Sequence, residues 1–275
     1  MDRVLLTGAT GTLGRQLRPR LLDAGYRVTA TSRTPDEVNT AGAPSDQIEW
    51  TTMDLRSGDG ITTALADVDS VIHTATAPRG DTEAVDVAGT KRLLAAADDT
   101  GVDRVWYVSI VGIDAIPYSY YQHKLAAEQA VAASDVPSTI VRSTQFHTFL
   151  DGLFSGLSRL PVWPLPTGVP LQPIAAADLA DVIVEHLEGE TADRLPPVGG
   201  PVVQTVGSLA KTYREQRDLW RPIVPVPVPG STAAAFRAGH ATCPEHVVGT
   251  ETWPEWLERE YGDRRHAWGE STSVS

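Results

Sequence analysis

The chain has 275 residues, 41% hydrophobic and 21% charged, with a formal net charge of −12. This is the composition of a folded globular protein, and no run approaches the ~18 consecutive apolar residues of a membrane-spanning helix. Cys243 is the only cysteine, which excludes an internal disulfide or a cysteine-rich metal site, and the lack of a basic half or basic run argues against nucleic acid as a partner.

The opening MDRVLLTGAT has one short apolar stretch and then glycine, unlike a signal or transit peptide, so a cytoplasmic location is expected. Arg3–Thr7 reads as a strand that stops at glycine. Leu13–Ala24 carries Leu13, Leu17, Leu21 and Leu22 at helical spacing and ends at Gly25. Strands are then expected at Tyr26–Thr31, Gln47–Thr52, Asp69–His73, Asp103–Ile110 and Ser138–Val141. Helices at about Asp59–Ala66, Thr82–Thr100 and Tyr120–Ser134 lie between them. Such alternation predicts an α/β fold, a parallel sheet with helices on both faces.

After residue 150 the composition changes. Of 20 prolines, 14 fall there, so Leu160–Pro173 and Arg221–Gly230 cannot be long helices. Helices are expected at Ala176–Leu187, Ser208–Leu219 and Trp253–Tyr261. Trp253, Trp256, Leu257 and Tyr261 share a helix face that would pack on the C-terminal lobe or, alternatively, form a homodimer contact. The expected organisation is a nucleotide-binding core over residues 1–150, a small Pro-rich substrate lobe over 151–262 integrated with it, and a flexible tail over 263–275.

The strongest local signal is TGATGTLG, Thr7 to Gly14. Gly8 permits a tight turn, Gly11 lets a diphosphate approach the backbone, and Gly14 lets the helix pack close to the sheet. The helix start at Thr10, Thr12 and Leu13 would present amide N–H groups and a positive dipole end to phosphate. The alternative is a tight strand–helix turn that binds nothing. A dinucleotide site selective for NAD carries an acid at the end of the second strand. Here Ser32 and Arg33 stand there, and a guanidinium suits the 2′-phosphate of NADP, unless Arg33 is an ordinary surface cation. Asp54 and Leu55 are placed to meet adenine, and Thr74, Ala75 and Thr76 to let a ribose lie against the backbone. Both assignments rest on the rule that ligands sit at the carboxyl ends of the strands. His73 beside them could be merely packed.

Ser109 ends the fifth strand, and Tyr120 and Lys124 are four apart on one helix face. An ammonium about 4 Å from a phenol supplies about 4 kcal/mol at an effective dielectric of about 20, enough for acid–base work near neutrality. Tyr120 would exchange a proton with substrate, Lys124 would assist it or bond the nicotinamide ribose, and Ser109 would hold a carbonyl oxygen. Tyr121 could face the pocket in place of Tyr120, or neither could be the donor. His123 is expected to be solvated. No His and acid set has metal-ligand spacing, so no metal is expected.

With VLLTGATGTLG, TSR, DL, VSIVGID, YYQHKLAAE, VRSTQF, PIAAADLADVI and VGGP, the chain resembles the short-chain dehydrogenase/reductase superfamily in its atypical, NmrA-like, NAD(P)H-binding branch. The resemblance implies a Rossmann doubly wound sheet and a preference for NADP(H). It implies cofactor contacts at Gly8, Gly11, Gly14, Arg33 and Lys124, with Ser143, Gln145 and Phe146 near the nicotinamide. Three readings follow. One is an NADPH-dependent reductase of a small, largely apolar carbonyl, enone or quinone-like molecule, with Phe146, His147, Phe149, Phe154 and Trp163 lining its pocket or simply packed. Another is a non-catalytic NADP(H) redox sensor that binds a protein partner. The third, an NAD-dependent epimerase or dehydratase, is opposed by Arg33. A small-molecule substrate, with no nucleic acid and no membrane, is the expected partner.

Overall fold

The computed structural model describes residues 2–34, 48–189 and 192–269, with side chains described up to Gly262. The expected start of the third strand at Gln47, and residues 270–275 of the expected tail, lie outside the described residues. The chain divides into two compact units, Met1–Ser143 with Leu179–Pro197 and Thr144–Asp178 with Val198–Ser275. Among the described residues, no helix is long and apolar enough to cross a membrane.

The first unit holds a six-stranded, all-parallel sheet. Its strands are β1 (Arg3–Thr7), β2 (Arg27–Ser32), β3 (Ile48–Thr52), β4 (Ser70–His73), β5 (Arg104–Ile110) and β6 (Ser138–Ser143), in the order β3-β2-β1-β4-β5-β6. The central strands are almost continuously apolar because both faces are covered by helices; Val4, Leu5, Leu6, Val71, Ile72 and Val105 are all buried. This is the Rossmann doubly wound order, and the direction of winding reverses between β1 and β4. Helices α1 (Thr12–Asp23), α2 (Ile61–Ala64), α3 (Thr90–Thr100) and α4 (Ser119–Ala132) connect the strands. Every expected strand and helix of this region forms, with ends shifted by one or two residues.

One element differs in kind. The helix expected over Thr82–Thr100 is α-helical only from Thr90; Glu83–Gly89 is a π-helix. A Cβ at Gly89 would lie 2.9 Å from both the Cβ and the carbonyl oxygen of Leu55, so this turn packs against the segment after β3 closer than any side chain allows. The wider turn also brings Asp86 inward, where it is buried. Widened turns of this kind are often found at functional sites.

In the second unit the proline-rich segments pair as short strands, β7 (Trp163–Leu165) with β10 (Ile223–Pro225) in parallel, and β8 (Pro170–Leu171) with β9 (Gln204–Thr205) antiparallel. Two-stranded pieces tolerate proline because each strand has an edge that needs no donor. Helix α5 (His147–Leu157), which the sequence reading did not anticipate, precedes them. Helix α6 (Ala176–His186) runs from the second unit into the first. Helices α7 (Val206–Gln216), α8 (Ser231–Arg237) and α9 (Trp253–Gly269) complete the fold.

Of the two readings of Phe154 and Trp163, pocket lining or simple packing, the second holds: both are fully buried. Their rings are stacked 6.0 Å apart, and Tyr213 packs on both. Tyr213 in turn stacks on Trp253, whose indole N–H donates to the Leu209 carbonyl. These rings are the core of the lobe. His147 is buried against Trp253 and Trp256, and only Phe149 of the set is largely exposed. Gln145, also in this unit, donates from its amide to the Ala241 carbonyl, and Phe146 caps the start of α5.

Candidate active site

The turn between β1 and α1 is built by glycine. Gly8 has φ +67°, a left-handed backbone that disfavours any side chain. A Cβ there would come within 2.8 Å of the Ala75 nitrogen and the Thr74 hydroxyl oxygen. A Cβ at Gly14 would lie 2.3 Å from the Gly8 carbonyl oxygen, so the helix sits directly on the turn. Gly11 is exposed and caps α1 with backbone alone: no side chain caps the helix and no acid stands in its first turn. Leu13 is packed inward, while Thr10 is half-buried and Thr12 exposed. The donor set therefore fits a diphosphate, because the helix start offers a positive dipole end with no acid in its first turn.

Behind this turn runs a chain of hydroxyls through an imidazole. Thr74 N–H and Ala75 N–H both donate to the Thr7 hydroxyl, 3.1 and 3.2 Å. The Thr7 hydroxyl lies 2.7 Å from His73 Nδ1, and His73 Nε2 lies 2.9 Å from the Thr90 hydroxyl. Thr90 donates its only proton to the Asp86 carbonyl, 2.6 Å. It can therefore only accept from His73. The imidazole is then neutral with the proton on Nε2, and Thr7 donates to Nδ1. This ladder ties the carboxyl ends of β1 and β4 to the π turn.

Burial, aided by the Lys124 ammonium, holds the His73 pKa down at about 3. The free imidazole titrates near 6.5. The stabilisation is therefore complete above pH ~6.5 and is lost as pH falls towards about 3, at up to ~1.4 kcal/mol per unit, because only the unfolded chain takes the proton in that window. His73→Gln should be less stable than wild type at neutral pH but should show a flatter loss of stability in urea titrations between about pH 6 and 4. Equal slopes would mean that His73 does not stay neutral in the folded state.

Tyr120 and Lys124 lie on α4, but their polar atoms have different partners. The Tyr120 hydroxyl is 2.8 Å from that of Thr76. Lys124 is buried, donates to the Val108 carbonyl at 2.9 Å, and rests 4.2 Å from the centre of the Tyr107 ring. Burial lowers its pKa to about 8, with the charges of Asp86 and Glu128 opposing the shift. Burial, with the charge of Asp86, holds the Tyr120 phenol above its ordinary range, against the Thr76 contact, which lowers it. Tyr121 is buried beside it. His123 pairs with the Thr82 hydroxyl at 2.7 Å, and so is not simply solvated.

Ser109, expected at a substrate oxygen, is buried and donates to Glu128 at 2.6 Å. Glu128 also takes two bonds from Arg142 and one from Arg194, while Arg142 is paired with Asp114 as well. The hydroxyl that meets Tyr120 is that of Thr76, a residue the sequence reading had assigned to the ribose.

The region from Gly8 to residue 190 matches the model of the NAD(P)H-binding family. The chain belongs to that family. It is 30% identical to a (4-alkanoyl-5-oxo-2,5-dihydrofuran-3-yl)methyl phosphate reductase of Streptomyces griseus, over 80% of this chain and 75% of that one. A Mycobacterium tuberculosis protein is 28% identical over 82% of this chain, which spans 24% of that protein's length. Among solved structures, the NADPH-dependent quinone oxidoreductase QOR2 of Escherichia coli, in complex with NADPH, superposes with a TM-score of 0.77 at 17% identity, covering 94% of this chain and 99% of that one.

The remaining expected contacts of this NAD(P)H-binding chain lie at the carboxyl ends of the strands. Ser32 closes β2 and accepts from the Thr34 N–H, and Arg33 is exposed just beyond. Asp54 accepts from the Arg56 N–H. Leu55 is buried in the core, and its carbonyl accepts from Arg92. Ser143, buried at the end of β6, accepts from the Val111 N–H through its carbonyl. Asp86 is the residue that sequence reasoning missed. Its signal was a carboxylate between Val85 and Val87 in a segment read as an ordinary helix.

Proposed function

We propose that the chain is an NADPH-dependent oxidoreductase that reduces a small, largely apolar carbonyl, enone or quinone-like substrate. One observation carries the reading. The loop after β4 closes on Gly8 through Thr74 and Ala75, and one residue later meets the Tyr120 hydroxyl through Thr76. The diphosphate-type turn and the Tyr120 phenol are thus joined by a single short loop. The start of α1, which has no side-chain cap and no acid in its first turn, holds the diphosphate, and the Arg33 guanidinium pairs with a 2′-phosphate. Lys124 is within the same helix turn as Tyr120 and serves the ribose hydroxyls. A bound nicotinamide supplies the hydride. Tyr120, held protonated by burial, gives its proton to the oxygen that develops charge. The Streptomyces relative, named for reducing an alkanoyl-substituted oxo-dihydrofuran, favours the enone or carbonyl class.

One observation favours a second reading, a redox sensor without turnover: the Lys124 ammonium rests on the Tyr107 ring and donates to the Val108 carbonyl. The two part on a single experiment. Wild type should melt higher with NADPH than with NADH, by mass action, and should oxidise NADPH with 9,10-phenanthrenequinone or an aryl enone. Tyr120→Phe should bind NADPH as wild type does and lose about 100-fold or more in kcat, the scale of a general acid. Turnover unchanged in Tyr120→Phe would remove the phenol from the chemistry. NADPH binding with no turnover of any probe would leave the sensor.

A further inference from the structure

The Thr76 hydroxyl stands between two groups. It donates to Asp86 Oδ1 at 2.5 Å and lies 2.8 Å from the Tyr120 hydroxyl. A threonine has one proton. With that proton on Asp86, its oxygen can only accept from Tyr120. The polarity of the chain is therefore set: Tyr120 O–H to Thr76, and Thr76 O–H to the Asp86 carboxylate.

Asp86 is unusually well fixed for this task. It is 1% exposed and lies on the π turn. Its second oxygen accepts the Ala77 N–H at 3.0 Å, and its backbone carbonyl is held by Thr90, itself held by His73 and Thr7. Burying a carboxylate costs solvation, and one amide, one hydroxyl and the charge of the buried Lys124 ammonium work against that cost. Ordinary packing would place an apolar residue here.

Resting on the reductase reading above, we propose that Thr76 and Asp86 form a proton relay with Tyr120, in which Asp86 is the terminal proton store and Thr76 the carrier. When a substrate hydroxyl is oxidised, its O–H breaks and the proton goes to the Tyr120 oxygen. The Tyr120 proton moves to Thr76, and the Thr76 proton moves to Asp86. Three O–H bonds break and three form, and the hydride lost from the carbinol carbon is taken up by the oxidised nicotinamide. Reduction runs the same shifts backwards once Asp86 has taken a proton from water: the Asp86 proton moves to Thr76 and the Thr76 proton to the Tyr120 oxygen after the phenol has served the carbonyl oxygen, and both hydrogen bonds reverse direction. Thr76 and Asp86 act through Tyr120 and are positioning and carrier groups; Tyr120 alone touches substrate.

The test uses the full chain without cofactor, its tyrosines labelled with carbon-13 at the phenolic carbon. The Tyr120 resonance is identified by its loss in Tyr120→Phe. It should move in Thr76→Val and in Asp86→Asn at neutral pH, and return to the wild-type position in Thr76→Ser. Thr76→Val keeps the Asp86 bonds to Ala77 and Thr90, so it separates the relay from the fold of the loop. With NADPH and 9,10-phenanthrenequinone, Thr76→Val should lose about tenfold or more in kcat, on the general acid–base scale, with KM for NADPH unchanged, and Thr76→Ser should recover it. A resonance that stays in place in both Thr76→Val and Asp86→Asn overturns the hydrogen-bond chain. A resonance that moves while kcat is undiminished overturns the relay and leaves Tyr120 served by another route. A wild type that turns over no probe overturns the relay together with the reductase reading, and the resonance then reports separately on the hydrogen bonds.

Discussion

Replacing Gly14 with alanine should weaken NADPH binding by tenfold or more and lower folding stability by about 1–3 kcal/mol, the usual cost of overpacking. The methyl group would lie 2.3 Å from the Gly8 carbonyl oxygen and 2.7 Å from the Ala9 Cα. All of these are backbone atoms, so no side chain can rotate away. The helix must lift from the turn, and the amides at its start leave their line. Gly11→Ala makes the contrast. Its Cβ meets only the Gly8 carbonyl oxygen at 3.1 Å, and Gly11 is exposed, so stability should change little while nucleotide binding is lost to the methyl group. Urea unfolding and thermal shifts with NADPH measure both. If Gly14→Ala binds NADPH as tightly as wild type, the closeness of helix and turn is not what seats the diphosphate.

Glu128→Ala should cost about 3–5 kcal/mol, the loss typical of breaking a buried ion pair from one side. Glu128 is 2% exposed and receives the Ser109 hydroxyl, the Arg142 guanidinium at 2.6 and 3.0 Å, and Arg194 at 2.5 Å. Truncation leaves Ser109 without its acceptor and Arg142, itself nearly buried, with Asp114 alone. Arg194 is half-exposed and adds little, since water screens it. The loss should persist in high salt, because a buried pair is screened far less than a surface one. Glu128→Gln should fall between, as its amide oxygen still accepts while its NH2 meets a guanidinium. An unfolding free energy from urea titration that differs between Glu128→Ala and wild type by less than about 1 kcal/mol would mean that the pair is solvated in solution.

Much of the first unit was legible from local signals. Strands buried on both faces show as short apolar runs, and Arg3–Thr7 matches its strand at both ends. The glycines of Thr7–Gly14 are spaced for a backbone conformation that only they adopt easily, so the turn could be read without knowing its neighbours. Helix α5 was readable but overlooked. His147, Leu150 and Phe154 are its buried face, at helical spacing, though Gly152 and Gly156 weaken its propensity. In the lobe, Phe154 and Trp163 could be recognised as apolar, but apolar residues line pockets and fill cores alike. Only their partners, Tyr213 and Trp253, decide between the two.

The amino-acid order by itself determined the parallel sheet, the glycine turn and the place of Tyr120 and Lys124 on one helix, because each depends on neighbours within a few residues. Only the tertiary structure decided which polar groups are joined. Ser109 went to Glu128, Lys124 to the Val108 carbonyl and the Tyr107 ring, and Tyr120 to Thr76 and so to Asp86. Those pairs come from separate strands and helices, and a hydrogen bond is set by the last few tenths of an ångström between them, a distance that no periodicity along the chain encodes.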